Sequence, residues 1–171
     1  MTVTESIELM KREGSRLARP VPVPGMADMS FRCLFAEEGA TPAEIVEFAS
    51  GCPTDLIDFW RNARNAKLFQ DQSYGQWGLE ILDPQHAFSM TRQCRERRSR
   101  DFTVGDLVIG KFLGDSDLLV IRCDSTSDDF GSVLVALPID VRKDWYCVSP
   151  SFADFLELFI KARGDKVWAN S

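Results

Sequence analysis

Residues 106–160 decide the fold class and read DLVIGKF (106–112), LLVIR (118–122), SVLVAL (132–137), WYCV (145–148) and SFADFLELFI (151–160). The first four runs are short, rich in aliphatic and aromatic residues and bounded by Gly, Asp and Ser, which is typical of strands joined by hairpin turns. The last run changes period, because its apolar residues fall at helical spacing. The pattern predicts an antiparallel meander closed by a C-terminal helix, and therefore an α+β fold.

The region before this meander is predicted to be mostly helical. Thr2 and Glu5 have capping-box spacing, which predicts a helix over 2–19, and the prolines of 20–25 then force an extended connector. Helices are also predicted to begin at Thr41-Pro42, Pro53-Thr54 and Asp83-Pro84, the last running to about residue 98. In the helix that starts at Thr41, the expected buried face is Ile45, Val46, Phe48 and Ala49.

Short strands are predicted at 31–35 and 79–82, which brings the sheet to about five to six strands. We predict a single α+β domain in which helices pack at the N-terminal side and the last helix closes the sheet. Residues 1–30 are interpreted as an N-terminal helix with a proline-rich arm, and residues 31–171 as the globular domain.

Bulk composition excludes several classes of protein. The chain of 171 residues carries a net charge of −6, which argues against nonspecific nucleic-acid binding. Its five cysteines have no Cys-x-x-Cys spacing, so we expect free thiols rather than a disulfide framework or a zinc site. No secretory signal and no apolar run of about 20 residues is present, so a soluble cytoplasmic protein without membrane contact is expected.

Four segments resemble the SUKH superfamily, the SMI/KNR-type domain of fungal cell-wall regulators and bacterial toxin-immunity proteins. They are PTDLIDF (53–59), YGQWGL (74–79), IGKFLGDSD (109–117) and SFADFL (151–156), and the resemblance covers roughly 41–162. It implies a protein-binding module with no catalytic centre. The residues themselves contain no metal-ligand or nucleotide-binding motif, so no metal and no cofactor are expected. Immunity-type members neutralise a cognate toxin, often a nuclease, by covering its active site, whereas fungal members act as regulatory hubs.

An acidic surface is the predicted contact for such a partner. Seven acids lie between 101 and 129, several of them in predicted turns, so they could project together from one end of the sheet and complement a basic toxin. Tyr74, Trp77 and Trp145 are candidate aromatic anchors, although each also fits a core position. The predicted protein-binding residues are Tyr74, Trp77, Asp115, Asp117, Asp124, Asp128 and Asp129.

Other residues that could carry chemistry have simpler interpretations. His86 is the only histidine and begins a predicted helix, which favours a surface or capping role over a catalytic triad. The run from Asp124 to Asp129 lacks the central Gly and terminal Glu of an EF-hand, so a solvated hairpin loop or an acidic contact surface is favoured. The arginines of 92–100 fit either a helix C-terminus or an anion-binding patch.

Three functional hypotheses follow. The first is a cytoplasmic immunity-type protein that inhibits a toxin by occlusion. The second is a regulatory or scaffold protein without any toxin, in which the N-terminal helix on its proline arm serves as the docking element. The third is an enzyme, which would need carboxylates and arginines from separate loops to converge, and it is the least favoured.

Overall fold

The computed structural model describes residues 1–14, 16 and 30–170. These residues form one α+β domain, as predicted, and the proline-rich segment 20–25 lies outside them. The helices are α1 (Val3–Glu13), α2 (Pro42–Phe48), α3 (Thr54–Asn62), α4 (Pro84–Arg97) and α5 (Phe152–Lys161). The strands are β1 (Phe31–Phe35), β2 (Ala66–Asp71), β3 (Leu79–Ile81), β4 (Asp106–Phe112), β5 (Leu118–Arg122), β6 (Val133–Ala136) and β7 (Tyr146–Ser149).

The sheet is an antiparallel meander in which each strand pairs with the next along the chain, in the order β1 to β7. It has seven strands rather than the predicted five to six, because β2 is absent from the prediction. The polar residues Lys67, Gln70 and Asp71 remove the clean alternation that marks a strand. Phe69, with φ of 52°, also interrupts the regular extended backbone.

One face of the sheet carries the main hydrophobic core. Leu68, Leu79, Ile109 and Leu119 point into this core, and α5 contributes the apolar residues that its helical spacing predicts. Each fully buried side chain of this size stabilises the fold by about 1.5–3 kcal/mol. Helix α5 therefore closes the sheet, and its buried side chains are Phe152, Phe155, Leu156, Phe159 and Ile160.

Helix α1 also belongs to this core. Its side chains Val3, Ile7 and Met10 are buried, and the helix contacts α5, α3 and β1. The capping box is confirmed, since Glu5 N donates to Thr2 Oγ1 at 3.2 Å and Thr2 N donates to Glu5 Oε2 at 2.7 Å. The helix is consequently a packed element, and its apolar face is not available for docking.

The opposite face of the sheet is covered by α4. Val108 and Val120 pack with Phe102 and Trp145 in a second, smaller core to which α4 contributes partly buried residues. Thr91 fixes the helix to the sheet, because its hydroxyl accepts from Val108 N at 2.8 Å and donates to Ala87 O at 2.7 Å.

Helix α2 begins where its start signal predicts, but only part of its predicted buried face is buried. Thr41 and Glu44 form the predicted capping box, with Pro42 in the first turn. Ile45 is buried, whereas Val46 is exposed to solvent, so its assignment to the buried face is wrong. A seven-residue helix presents only a narrow stripe to its neighbours, and Val46 falls outside that stripe.

Candidate functional site

Two hairpin turns of the meander meet at one end of the sheet. Residues 72–78 join β2 to β3, residues 113–117 join β4 to β5, and alternate turns of a meander lie at the same end. The segment after α5, residues 164–168, packs beside them. We call this the aromatic end, because it holds the two most exposed of the predicted anchors.

The conformation of the loop 72–78 is fixed by the last residue of β2, Asp71. The buried carboxylate of Asp71 accepts from Ser73 N at 2.9 Å and from Tyr74 N at 2.8 Å, which fixes a tight turn. Tyr74 is 70% exposed and Trp77 is 51% exposed. Asp71 was not among the predicted site residues, although an Asp two residues before a Ser-Tyr-Gly run is a turn signal.

A close backbone contact joins the two turns. Leu113 N donates to Gly78 O at 2.9 Å. Gly114 has φ of +90°, and a Cβ atom built on it would lie 2.5 Å from the carbonyl oxygen of Gln76. Only glycine fits that position without strain, so Gly114 sets the spacing between the turns.

Lys166 neutralises part of the charge at this end. Its ammonium donates to Asp117 Oδ2 at 2.7 Å and also to the carboxylate of Asp115, and it lies 4.4 Å from the centroid of the Phe112 ring. The three groups together carry a net charge of −1. This arrangement is already a small cation site, with two carboxylates and an aromatic face around one ammonium group.

A concavity of about 220 Å³ opens beside this cluster, and its walls combine aromatic and acidic groups. An aromatic wall next to carboxylates suits the side chain of an arginine or lysine, through cation–π contact and charge-assisted hydrogen bonds. The residues that line it include Gln76, Trp77, Phe112, Gly114, Asp115 and Lys166.

The structure does not bring all the predicted acids together. Asp124, Asp128 and Asp129 lie on the loop between β5 and β6, which turns at the other end of the sheet. Hydrogen bonds from the Thr126 hydroxyl and amide hold the pKa of Asp124 below its usual value. The Ser127 hydroxyl and the Arg122 guanidinium do the same for the pKa of Asp129, so both carboxylates stay ionised near neutral pH.

Asp106, the most buried of the acids, is a structural residue. Its carboxylate has no exposed surface and accepts from Arg122 Nη1 at 2.7 Å, from Arg142 Nη2 at 3.0 Å and from Thr103 N at 2.7 Å. Two guanidinium groups and a backbone amide therefore compensate one buried charge. Asp106 takes no part in an exposed acidic surface.

The arginines of 92–100 divide into structural and exposed groups. Arg98 donates to Asp101 Oδ2 at 2.9 Å and to the backbone oxygens of Leu137 and Asp140, and Arg95 donates to Asp106 O at 2.8 Å. These bonds tie α4 to the sheet and to the loop before β7. Trp145 is only 8% exposed and lies below the Arg98 guanidinium, which makes it a core residue rather than an anchor.

His86 lines a groove of about 430 Å³ between α4 and the sheet. Its Nδ1 lies 2.5 Å from Asp83 Oδ2, while Asp83 Oδ1 accepts from His86 N as the helix cap. The His86 side chain is 73% exposed, and the neighbouring Glu80 and Lys111 form an ion pair of 3.1 Å. Asp83 is therefore a helix cap, and the His86 ring lies against the same carboxylate.

Within the described residues, no three His, Cys, Asp or Glu side chains cluster closely enough to hold a metal ion. Over the same ranges, no helix has the length and apolar character needed to cross a bilayer. No protein-family model matches this chain, and no curated protein matches it.

Proposed function

We propose that this chain is a non-catalytic protein-binding module of the SUKH type. In this proposal it is a cytoplasmic immunity protein that neutralises a cognate toxin, such as a nuclease, by covering its active surface. The observation that carries the proposal is the aromatic end, where Tyr74 and Trp77 stand in solvent beside an acid-rimmed concavity. Large aromatic side chains dominate the energetics of protein interfaces.

The internal contacts of the aromatic end support the proposal that this surface has its binding conformation before a partner arrives. Asp71 and Gly114 hold the two turns in place without a partner, so little ordering entropy is lost on binding. Trp77 offers a rigid amphipathic ring, which is the kind of side chain that is enriched in interface hot spots. A partner that buries this ring gains apolar contact at a low entropic cost.

Charge also supports a basic partner. The chain carries a net charge of −6, and the ion cluster of Asp115, Asp117 and Lys166 leaves one negative charge beside the concavity. A nuclease active site is basic because it must hold phosphates, so a negative surface speeds the encounter with it. The antiparallel meander and the closing helix α5 further support the SUKH-type assignment.

A direct test is co-expression with the protein that the neighbouring reading frame encodes, which the proposal expects to be a basic toxin. We expect a complex that survives gel filtration at low salt, and cells that tolerate a neighbour that is otherwise toxic. A folded chain that neither binds nor protects contradicts the immunity role and favours the regulatory alternative.

Replacing Trp77 with alanine, alone and together with Tyr74→Ala, is the sharpest change at the proposed surface. We expect Trp77→Ala to weaken the complex by about 30-fold or more, since loss of a hot-spot residue costs at least about 2 kcal/mol. The thermal midpoint should stay unchanged, because the ring is exposed. Titration calorimetry measures the affinity, and Phe130→Ala, an exposed aromatic at the other end of the sheet, is the matched control.

Two double substitutions distinguish the two ends of the sheet. Each replaces two Asp with two Asn, so both variants change the net charge by the same amount. Asp115→Asn with Asp117→Asn is expected to slow association by about tenfold at low salt and to flatten its salt dependence. Asp124→Asn with Asp128→Asn should leave the rate within about twofold, because those acids lie at the opposite end. Stopped-flow association rates provide the measurement. The reverse ranking would move the contact surface to the loop between β5 and β6.

A further inference from the structure

Two cysteines far apart in the chain meet near the surface. Cys52 lies in the turn between α2 and α3, and Cys123 follows β5. They are 71 positions apart, yet their Sγ atoms are 3.7 Å from each other, with the Cys123 thiol donating to Cys52. A disulfide needs about 2.05 Å between the sulfurs. To form a disulfide, the two sulfur atoms would therefore have to move closer by less than the width of one atom.

The pair is open to a small reagent. Both cysteines are half-buried and line a cavity of about 200 Å³ together with Arg92 and Arg95. Asp106 lines the same cavity, so the surroundings of the two sulfur atoms contain charges of both signs. Gly51, next to Cys52, has φ of +85°, and a Cβ built on it would have no atom within 4 Å, so the turn has room to shift.

The two thiols have different chemical roles. The hydrogen bond from Cys123 lowers the pKa of Cys52, whereas the same bond and burial raise the pKa of Cys123. Because Cys52 accepts this hydrogen bond, we expect Cys52 to react first and Cys123 to act as the resolving thiol. Burial raises the pKa of Cys33 to about 11 and also raises the pKa of Cys94, which makes both poor competitors.

We propose that Cys52 and Cys123 form a reversible disulfide when the protein meets hydrogen peroxide. The Cys52 thiolate attacks one peroxide oxygen and the O–O bond breaks, which leaves a sulfenic acid on Cys52 and hydroxide that takes up a proton. Cys123 sulfur then attacks the sulfenic sulfur, the S–O bond breaks, and the second oxygen leaves as water with the Cys123 proton. The two thiols lose two electrons, and peroxide is reduced to two waters.

The bond would join the α2–α3 turn to the end of β5. A crosslink between positions this far apart restricts the unfolded chain strongly, so the oxidised protein is expected to melt about 5–15 °C higher than the reduced protein. A thiol reductant should reverse the change. This site is independent of the aromatic end and of any partner.

The test uses the full-length protein treated with hydrogen peroxide and then analysed by intact mass and non-reducing peptide mapping. We expect loss of the mass of two hydrogen atoms and a crosslinked peptide pair containing Cys52 and Cys123. Cys147→Ser, which removes the exposed cysteine, should leave this result unchanged. A wild-type protein that gains only oxygen, or that links other cysteines, overturns the proposal.

Two single variants test the assigned order of attack. Cys123→Ser should trap a sulfenic acid on Cys52 that dimedone labels, whereas Cys52→Ser should leave Cys123 largely unlabelled. Equal labelling of both variants would contradict the roles given to the two sulfurs. The wild-type crosslink remains a separate test if either variant folds poorly.

Discussion

Asp106→Asn is expected to lower the free energy of unfolding by about 3–5 kcal/mol, the cost of breaking a buried ion pair on one side. The carboxylate is fully buried and compensates Arg122, which is itself only 8% exposed, as well as Arg142. The neutral amide leaves the Arg122 guanidinium with only the more exposed Asp129 as a counter-charge, and its NH2 group places a donor against another donor. Few surface substitutions approach this effect.

The measurement is urea unfolding followed by tryptophan fluorescence, with the midpoint and the slope fitted separately. Asp128→Asn is the matched control, because it makes the same chemical change at an exposed position. We expect that control to lie within about 0.5 kcal/mol of the wild type. An Asp106→Asn protein as stable as the control would show that Asp129 and solvent satisfy Arg122 without the buried carboxylate.

Removal of residues 1–14 is expected to abolish cooperative folding. Val3, Ile7 and Met10 are almost completely buried against α5, α3 and β1. Losing three such side chains removes roughly 5–9 kcal/mol of apolar burial, which is comparable to the whole stability of a typical domain. The truncated chain should also expose the apolar face of α5 and aggregate.

Circular dichroism melting of the truncated and full-length proteins measures this loss. A point-mutant version avoids any effect of chain length: Ile7→Ala with Met10→Ala should cost several kcal/mol, since each buried truncation costs about 2–5 kcal/mol. Glu8→Ala with Lys11→Ala changes only the exposed side of the same helix and serves as control. A truncated protein that melts like the full chain would restore α1 as a separable docking arm.

The local patterns of the chain predicted its elements well. The runs of 106–160 became β4 to β7 and α5, and the capping boxes at Thr2 and Thr41 start helices as expected. These features depend on residues within a few positions of each other, so the sequence alone is enough to predict them. Strand β2 was missed because its own residues are mixed in polarity, whereas what makes it a strand is its pairing with β1 and β3 on either side.

The candidate site could be predicted only in part. Tyr74, Trp77 and Trp145 were all candidate anchors, but the exposure of the first two and the burial of Trp145 depend on how α4 and the loops pack. The separation of the acids could have been foreseen, since consecutive hairpins of a meander turn at alternate ends. The pairing of Lys166 with Asp115 and Asp117 joins positions about 50 apart and had no local signal.

By itself, the sequence determined the α+β class, the order of most elements and the acidic character of the chain, because periodicity, turn residues and net charge are properties of neighbouring residues or of composition. The tertiary structure alone decided which acid is buried, which aromatic side chains face water and which two cysteines meet. Those outcomes depend on contacts between distant segments, and such contacts exist only after the sheet and its helices have packed.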